Sequence, residues 1–303
     1  MLNVKTTNLL EIGASIIMSE QVLVINDLPG VAKVAGMSNL PILEAAQFEV
    51  ALLPTLILST HTLGYPGLVK HYLNEAFDEI LDHWYDLEVQ FKGCLTGYFA
   101  DSEQITTTID YLEKIDYSMP VIIDPIMADF GKLYDGFSED FPGKFRKLVK
   151  YADIIVPNLT EACLITDYPY SDDLGPEDYP EIAQRLCDLG AKNVVLTSVF
   201  QDETKRQEET GYYVYTEGMA PYYHMHEKEE TWFKGVGDIS VSLITAYYLL
   251  GDTVEEAVVK SSDYIEKALR HSLTVERDQK LGIYFEPIIP EFSKEIDDMR
   301  KQK

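Results

Sequence analysis

The sequence predicts an α/β fold, in which helices cover both faces of a mostly parallel central sheet. Short apolar runs rich in Val and Ile alternate along the chain with amphipathic segments of helical length, and this alternation is typical of parallel sheets. The chain has 303 residues, of which 46% are hydrophobic. A chain of this size buries a large core, so its stability does not depend on disulfides or metal ions.

Six apolar runs predict the strands of the sheet. They are Gln21–Asn26, Val50–Leu53, Phe91–Thr96, Val121–Asp124, Ile154–Val156 and Val194–Thr197. In the segments between them, apolar residues recur at helical spacing. The predicted helices are Gly36–Phe48, Leu68–Trp84, Glu103–Tyr117, Phe141–Tyr151 and Tyr179–Leu189. In folds of this class, ligands bind beyond the carboxyl ends of the strands.

The C-terminal third follows a different pattern. Two apolar runs on either side of a Glu-Gly turn predict an antiparallel addition to the sheet, Tyr212–Thr216 with Tyr222–His226. Two further helices are predicted, Gly235–Leu250 and Thr253–His271. The tail from Gly282 contains two prolines and is expected to lie over the surface. Because the chain shows no repeat and no linker, residues 19–303 are expected to form a single domain.

The charge balance argues against several classes of partner. The chain has 51 Asp and Glu against 25 Lys and Arg, which gives a formal net charge of −26. Nucleic acids and anionic membrane surfaces both attract clustered basic residues, so neither is an expected partner. The longest apolar runs are about half the length that a membrane-spanning helix needs.

The cysteines and the N-terminus indicate a reducing compartment. Cys94, Cys163 and Cys187 are far apart in sequence and odd in number, which argues against a disulfide framework and favours reduced, packed thiols. Residues 1–18 lack the continuous apolar core of a signal peptide. We interpret them as a tag or a disordered extension ahead of a start at Met18, and we expect the protein to be cytoplasmic.

The most informative segment is Gly235-Val236-Gly237-Asp238, directly before an apolar helix. Two glycines let the backbone turn sharply and approach a ligand closely. The start of the following helix offers unpaired N–H groups and a positive dipole end, which together form an anion site. Asp238 is either an ordinary N-cap, the more frequent case for such a segment, or a base aimed at the bound group.

Two acidic motifs follow other predicted strands. Asp124 and Asp129 flank a loop that suits a hard cation such as Mg²⁺, although a turn built from Asp and Pro is the commoner explanation. Asn158 and Glu161 offer oxygen ligands to metal-bound water, and their spacing equally fits a capping box. The shared position of these motifs at strand ends is stronger evidence for a site than any one of them.

In this order, the motifs resemble those of the ribokinase superfamily and, within it, of the pyridoxal kinases. The resemblance rests on Gly235–Asp238, Asp124–Asp129 and Pro157–Glu161, and on two further stretches, Leu58–Thr62 and Leu95–Tyr98. It implies a ribokinase-like three-layer αβα sandwich. It also implies ATP-dependent phosphorylation of the 5′-hydroxymethyl group of the vitamin B6 vitamers pyridoxal, pyridoxine and pyridoxamine.

The resemblance implies a role for each matching residue. Asp238 resembles the catalytic base, and Gly235, Val236 and Gly237 resemble an anion hole for the transferring phosphoryl group. The ATP network would comprise Asp124, Asn158, Glu161, Thr197, Ser198 and Lys234, and the metal ligands would be Asp124, Asp129 and Glu161. The pyridine pocket would comprise Asp27, His61, Thr62, Tyr98 and Asp238. The resemblance further implies Mg²⁺ with ATP, K⁺ near the anion hole and a homodimer.

Two other functions stay open on the sequence. Hydroxymethylpyrimidine (phosphate) kinase shares the three motifs, and the stretches around His61 and Tyr98 favour vitamin B6 over it. A vitamer-binding protein without catalysis would not need the intact pair of glycines before Asp238. A nucleotide-dependent oxidoreductase is disfavoured, because no Gly-x-Gly-x-x-Gly follows the first strand.

Overall fold

The structure is a computed structural model that describes residues 20–62, 64–229, 233–275 and 277–302. The predicted N-terminal extension, residues 1–18, lies outside these ranges. Within them, the chain forms three layers, with helices on both faces of a nine-stranded, mostly parallel sheet. The predicted fold class is thereby confirmed.

The strands appear where the apolar runs predict them, with a few additions. They are β1 (Gln21–Pro29), β2 (Glu49–Leu58), β3 (Lys70–Tyr72), β4 (Gly93–Thr96), β5 (Val121–Ile123), β6 (Ala128–Asp129), β7 (Lys132–Leu133), β8 (Ile154–Ile155), β9 (Asn193–Val199), β10 (Glu209–Thr216) and β11 (Tyr222–Glu227). The central sheet has the order β11-β10-β9-β8-β5-β4-β1-β2-β3. The strands from β9 to β2 run parallel, whereas β3 and the β10–β11 pair are antiparallel additions. β6 and β7 form a separate hairpin.

The helices form two layers, one on each face of the sheet. They are α1 (Gly36–Ala45), α2 (Asn74–Asp86), α3 (Ser102–Lys114), α4 (Phe141–Leu148), α5 (Leu159–Thr166), α6 (Tyr179–Asp188), α7 (Val236–Leu249), α8 (Val254–Thr274) and α9 (Ile289–Lys301). Helices α2 to α6 pack on one face, and α1, α7, α8 and α9 pack on the other. Alternate residues of β1 enter the two cores, with Leu23 on one side and Val24 on the other.

Two predictions of secondary structure are wrong. The segment predicted as the helix Leu68–Trp84 begins instead with β3, and α2 starts only at Asn74. Its first residues pair with the end of β2, an interaction that helical periodicity cannot reveal. The tail after Gly282 does not simply cover the surface, because it ends in α9, whose Phe292 and Ile296 are fully buried. Pro290 is compatible with this helix because it lies in the first turn.

The parallel strands bring several polar residues together at one end of the sheet. Asp27 lies near the end of β1, and Tyr98, Asp124 and Asn158 follow β4, β5 and β8. All three cysteines are buried and unpaired, as expected. No helix of the described ranges has both the length and the apolar character needed to span a membrane.

Candidate active site

The start of α7 leaves space for an anion. Gly235 is the N-cap, with a φ of 82° in the left-handed region that favours glycine, and a Cβ there would overlap the carbonyl oxygen of Lys33. Gly237 lies in the first turn. Apart from its chain neighbours and the nearby backbone of α7, no atom of the described residues lies within 4 Å of the position that its Cβ would take. The unpaired N–H groups of this turn therefore have open space beside them.

Asp238 lies in the same turn and has an unused acceptor. The N-cap of α7 is Gly235, which has a left-handed φ, and the helix begins at Val236. The interpretation of Asp238 as the N-cap is therefore wrong. Its Oδ1 is buried and has no hydrogen-bond partner among the described residues. Burial raises the pKa of this carboxyl group, against the opposing effect of the Ala35 backbone N–H. A buried acceptor without a donor is unfavourable, so a ligand hydroxyl at this position would satisfy it.

Asp27 is a second buried acid beside the first. Burial and the negative charge of Asp238 raise its pKa to about 7, although its own backbone N–H acts in the opposite direction. At neutral pH the carboxyl group is therefore divided between its neutral and charged forms. It can donate a hydrogen bond in one form and accept one in the other.

Tyr98 forms an aromatic wall close to Asp27. Its ring packs against Phe137 with ring centroids 5.3 Å apart. Burial raises the pKa of the phenol, and the charge of Asp27 adds to the effect. The structure thus brings together three of the predicted pocket residues, Asp27, Tyr98 and Asp238.

His61 and Thr62 differ in their surroundings. His61 is buried, and its Nε2 lies 2.7 Å from the carbonyl oxygen of Lys280, while its ring meets Tyr65 edge to face. Thr62 is exposed. His61 therefore links the loop after β2 to the segment after α8, a contact that its position in sequence does not suggest.

Asp124 and Glu161 form a second acidic group next to Asp238. Burial, followed by the charges of Glu161 and Asp238, raises the pKa of Asp124 well above its usual range. Burial raises the pKa of Glu161 to about 8, although backbone N–H groups lower it. The Glu161 oxygens accept hydrogen bonds from the N–H groups of Met127 and Asn158, at 3.2 and 3.0 Å. A cation bound beside these carboxyl groups would favour their ionised forms and offset the repulsion between them.

The Asn158–Glu161 motif is a capping box, which confirms that interpretation of its spacing. Asn158 is the N-cap of α5, and its Oδ1 accepts from the Glu161 N–H at 2.9 Å. In return, the Glu161 carboxylate accepts from the Asn158 N–H at 3.0 Å. The Asn158 amide also donates to the carbonyl oxygen of Ala128 at 2.9 Å. The motif thus joins α5 to the hairpin of β6 and β7, whatever it binds.

The opposite charges of Asp129 and Lys234 interact, and each affects the pKa of the other. Burial raises the pKa of Asp129, against the effects of the Phe130 N–H and the Lys234 charge. Burial lowers the pKa of Lys234. The ranges described here contain no group of three or more His, Cys, Asp or Glu side chains arranged to hold a metal ion. The carboxylates present here instead suit Mg²⁺, which proteins usually bind through one or two carboxylates together with phosphate oxygens and water.

Thr197 and Ser198 lie at the end of β9, on the far side of the acidic group. Thr197 forms a bridge with Asn158 and donates its N–H to the carbonyl oxygen of Pro157 at 3.0 Å. Ser198 is exposed and has a φ of 58°. It lines a cavity of about 180 Å³ together with Tyr170 and Arg206. The Ser198 hydroxyl is therefore accessible from outside, whereas the Thr197 hydroxyl donates to the carbonyl oxygen of Pro157 at 3.5 Å.

Comparison with known proteins decides the family. The sequence profile described as phosphomethylpyrimidine kinase matches residues 56–282, which is most of the chain. The chain belongs to this kinase family. The match spans the acidic motifs and the start of α7, so the resemblance seen in the sequence is confirmed.

Relatives of this kinase family include pyridoxal kinases. The pyridoxine/pyridoxal/pyridoxamine kinase of Bordetella avium is 30% identical over 243 residues, which cover 76% of this chain and 77% of that protein. A candidate phosphomethylpyrimidine kinase from Bacteroides thetaiotaomicron, crystallised with pyridoxal, has a TM-score of 0.84 at 30% identity, with 90% and 95% coverage. Pyridoxal kinase from Lactobacillus plantarum also has a TM-score of 0.84, at 28% identity with 92% and 98% coverage. The predicted ribokinase-like fold is thereby confirmed.

Three polar residues of this kinase site have no role in the sequence prediction. Asn26, Asn39 and Ser242 are buried and hydrogen-bonded to one another in a chain. Asn26 follows the apolar run Val22–Ile25, and Asn39 and Ser242 lie in helices with mostly apolar residues. A polar residue in such a stretch is the only signal that the sequence offers for them, because it must find a partner when buried.

Proposed function

We propose that the protein transfers the γ-phosphoryl group of ATP to the 5′-hydroxymethyl group of a vitamin B6 vitamer. The observation that carries this proposal is the buried, unpartnered Oδ1 of Asp238 beside the open first turn of α7. The carboxylate would accept the proton of the substrate hydroxyl. The N–H groups of Gly235, Val236 and Gly237 would stabilise negative charge on the transferring group.

The buried Asp27 near the end of β1 supports a pyridine ring as part of the substrate that accepts the phosphoryl group. Asp27 can accept a hydrogen bond from a protonated ring nitrogen or from a phenolic hydroxyl, and Tyr98 offers an aromatic wall beside it. A relative of similar fold, 30% identical, has been crystallised with pyridoxal. His61 would act at the edge of this pocket through its contact with the Lys280 segment.

A divalent cation is the partner that the acidic group requires. When bound, Mg²⁺ would neutralise phosphate charge and orient the nucleotide. Asp124, Asp129 and Glu161 would hold it. One backbone N–H donates to each Glu161 oxygen and one to Asp129 Oδ1, which leaves further lone pairs for the ion or its water. Asn158, Thr197, Ser198 and Lys234 would contact the phosphates or the ribose. We predict that activity is lost on complete chelation and returns with added Mg²⁺, measured as ADP release.

Hydroxymethylpyrimidine kinase activity is the second candidate. The family profile is described as phosphomethylpyrimidine kinase, and a pyrimidine ring with a hydroxymethyl group offers the same reacting atoms as a vitamer. A coupled assay of ATP consumption with each vitamer and with hydroxymethylpyrimidine separates the two. Higher kcat/KM for hydroxymethylpyrimidine than for every vitamer would contradict the proposal, and ligand binding without ATP consumption would indicate a non-catalytic protein.

Asp238→Asn tests the proposed mechanism. We expect kcat to fall about 10²–10⁴-fold, the usual contribution of a general base, with the Kd for ATP nearly unchanged. Asp110→Asn, an exposed acid on α3, is the matched control and should keep wild-type kinetics. Wild-type turnover by the Asp238 variant would show that the carboxylate is not the base.

A further inference from the structure

We propose that Asn39 is a positioning residue that fixes the base-bearing start of α7 to the two strand ends beside the pyridine pocket. This inference rests on the proposed function and deepens it. Asn39 lies on α1, is completely buried, and is placed to act only through other residues. Its side chain joins two groups of atoms that the reaction needs at a constant separation.

On one side, the Asn39 amide holds α7. Its Nδ2 donates to the hydroxyl of Ser242 at 2.8 Å and to the main-chain carbonyl of Asp238 at 3.3 Å. The Ser242 hydroxyl donates to that same carbonyl at 2.6 Å. Two donors from two helices therefore converge on the backbone of the residue whose carboxylate would act as the base.

On the other side, Asn39 holds β1 and β4 through Asn26. The Asn39 Oδ1 accepts from the Asn26 Nδ2 at 2.8 Å. The Asn26 Oδ1 accepts from the backbone N–H groups of Asp27 and Tyr98, at 2.9 Å each. These two residues are the ones that would contact the pyridine ring.

The space around this network is closed. A Cβ on Gly97 would lie 2.6 Å from the Asn26 Cγ, so glycine is required for the amide to fit between β1 and β4. Each side-chain oxygen and nitrogen of the two asparagines has a partner. A buried network that is fully satisfied favours one arrangement, because every alternative leaves a polar atom unpaired.

The reaction depends on this arrangement. The substrate ring would be held by Asp27 and Tyr98 while its hydroxymethyl group points at Asp238. A displacement of about 1 Å between ring and base can reduce a rate by roughly 100-fold. Asn39 would set that separation without touching the ligand. A residue needed only for folding would have no such specific effect on the distance between ring and base.

Asn39→Asp tests the inference with nearly the same volume. The carboxylate still accepts from Asn26, but it cannot donate to Ser242 or to the Asp238 carbonyl. We expect kcat to fall about 10–100-fold with the Kd for ATP changed less than about threefold. Ser242→Ala removes one acceptor and should give a smaller loss in the same direction, which keeps the test available if the aspartate variant folds poorly.

Thr245→Val is the matched control. Thr245 lies on the same helix, is buried, and donates to the carbonyl of Val241 at 2.7 Å, as Ser242 does to Asp238, but it makes no bond to Asn39. It should keep the wild-type kcat. An equal loss in this variant would assign the effect to general weakening of α7 and overturn the inference.

A second readout does not depend on activity. In the ligand-free protein, hydrogen exchange at the amides of Asp27 and Tyr98 should accelerate at least tenfold in Asn39→Asp and stay unchanged in Thr245→Val. Unchanged exchange together with unchanged kcat would overturn the inference. If the wild-type protein phosphorylates no vitamer, the proposed function fails, while the exchange measurement still decides whether Asn39 holds these strand ends.

Discussion

At the scale of single residues, the candidate site concentrates carboxyl groups whose pKa values are raised by burial. Burial is the main cause of the raised pKa values of Asp27, Asp124, Glu161 and Asp238, and mutual repulsion adds to it for Asp27 and Asp124. Such an arrangement lowers the stability of the empty site at neutral pH. A cation and a hydroxyl-bearing ligand would relieve it, so the unfavourable charges become binding determinants.

Asp27→Asn should change how stability depends on pH. The folded protein holds the Asp27 proton up to about pH 7, whereas an ordinary aspartic acid has a pKa of 3.8. Because the unfolded chain loses this proton first, wild-type stability falls as pH rises from about 4 to 7. The variant lacks this loss, so between pH 5 and 8 it should gain about 2 kcal/mol in unfolding free energy relative to wild type.

Urea denaturation at pH 5 and pH 8, without nucleotide or divalent ions, measures this gain. Asp110→Asn, exposed on α3, serves as the control and should follow the wild-type pH dependence. A difference between Asp27→Asn and wild type that stays constant across this range would show that Asp27 titrates normally.

The sequence also has limits at the residue scale. It identifies the acids and glycines of the site because their types and order are unusual, and the structure brings Asp27, Tyr98, Asp124 and Asp238 into one region. It cannot exclude Asp238 as the N-cap, since the start of α7 depends on the left-handed φ of Gly235. It also cannot show that Asn39 meets Ser242, about two hundred residues away, because pairing at that distance is a property of the fold alone.

At the scale of elements, the periodicity of apolar residues predicts the long helices and strands. It fails for short elements that form only through pairing with a neighbouring strand. The parallel strands are confirmed because their apolar runs are buried between the two layers, and α7 because its apolar residues are buried in one of them. β3 and the hairpin of β6 and β7 escape prediction, since each has only two or three residues and depends on pairing with a neighbour. In the hairpin, Phe130 and Gly131 both have positive φ, a turn geometry that a Phe-Gly pair only weakly indicates.

The burial of Phe292 in the final helix, α9, makes the C-terminal tail part of the core. Phe292 of α9 is fully buried, and its ring meets Tyr247 and Tyr264 edge to face at 5.7 and 5.4 Å. Phe292→Ala should therefore cost about 3–5 kcal/mol in unfolding free energy, from lost burial and the remaining cavity. Phe130→Ala is the control, because that ring is 74% exposed and should cost less than about 0.5 kcal/mol.

Chemical denaturation with both variants gives the comparison directly. An equal, small effect of the two substitutions would mean that α9 lies on the surface after all and contributes little to the core. The expected difference instead makes the tail a support for α7 and α8, the two helices whose aromatic residues Phe292 contacts.

At the scale of the whole molecule, the site draws on both helical layers. α7 and α1 belong to one layer, and α5 with its capping box belongs to the other. They meet where the parallel strands end, so each layer can present one half of the candidate site: the helix start with Asp238, and the acidic group that would hold the metal. The central sheet keeps these halves at a fixed distance.

The net charge of −26 gives a prediction for the entire chain. Self-repulsion among exposed acids destabilises the compact state, and salt screens it over about 10 Å at 0.1 M. Raising KCl from 20 mM to 0.5 M at pH 7 should therefore raise the Tm by about 3 °C, which corresponds to roughly 2 kcal/mol for a chain of this length. Loss of exposed ion pairs opposes this only weakly, since a pair such as Lys114–Asp82, with side chains 45% and 75% exposed, contributes little.

The same titration near pH 4.5, the isoelectric point, is the internal control. There the net charge is close to zero, so added KCl should leave the Tm unchanged or lower it slightly. An uncharged osmolyte at equal osmolality should not reproduce the increase at pH 7 if screening is its cause. A Tm that falls with KCl at pH 7 would mean that attractive ion pairs at the surface outweigh the repulsion among the excess acids.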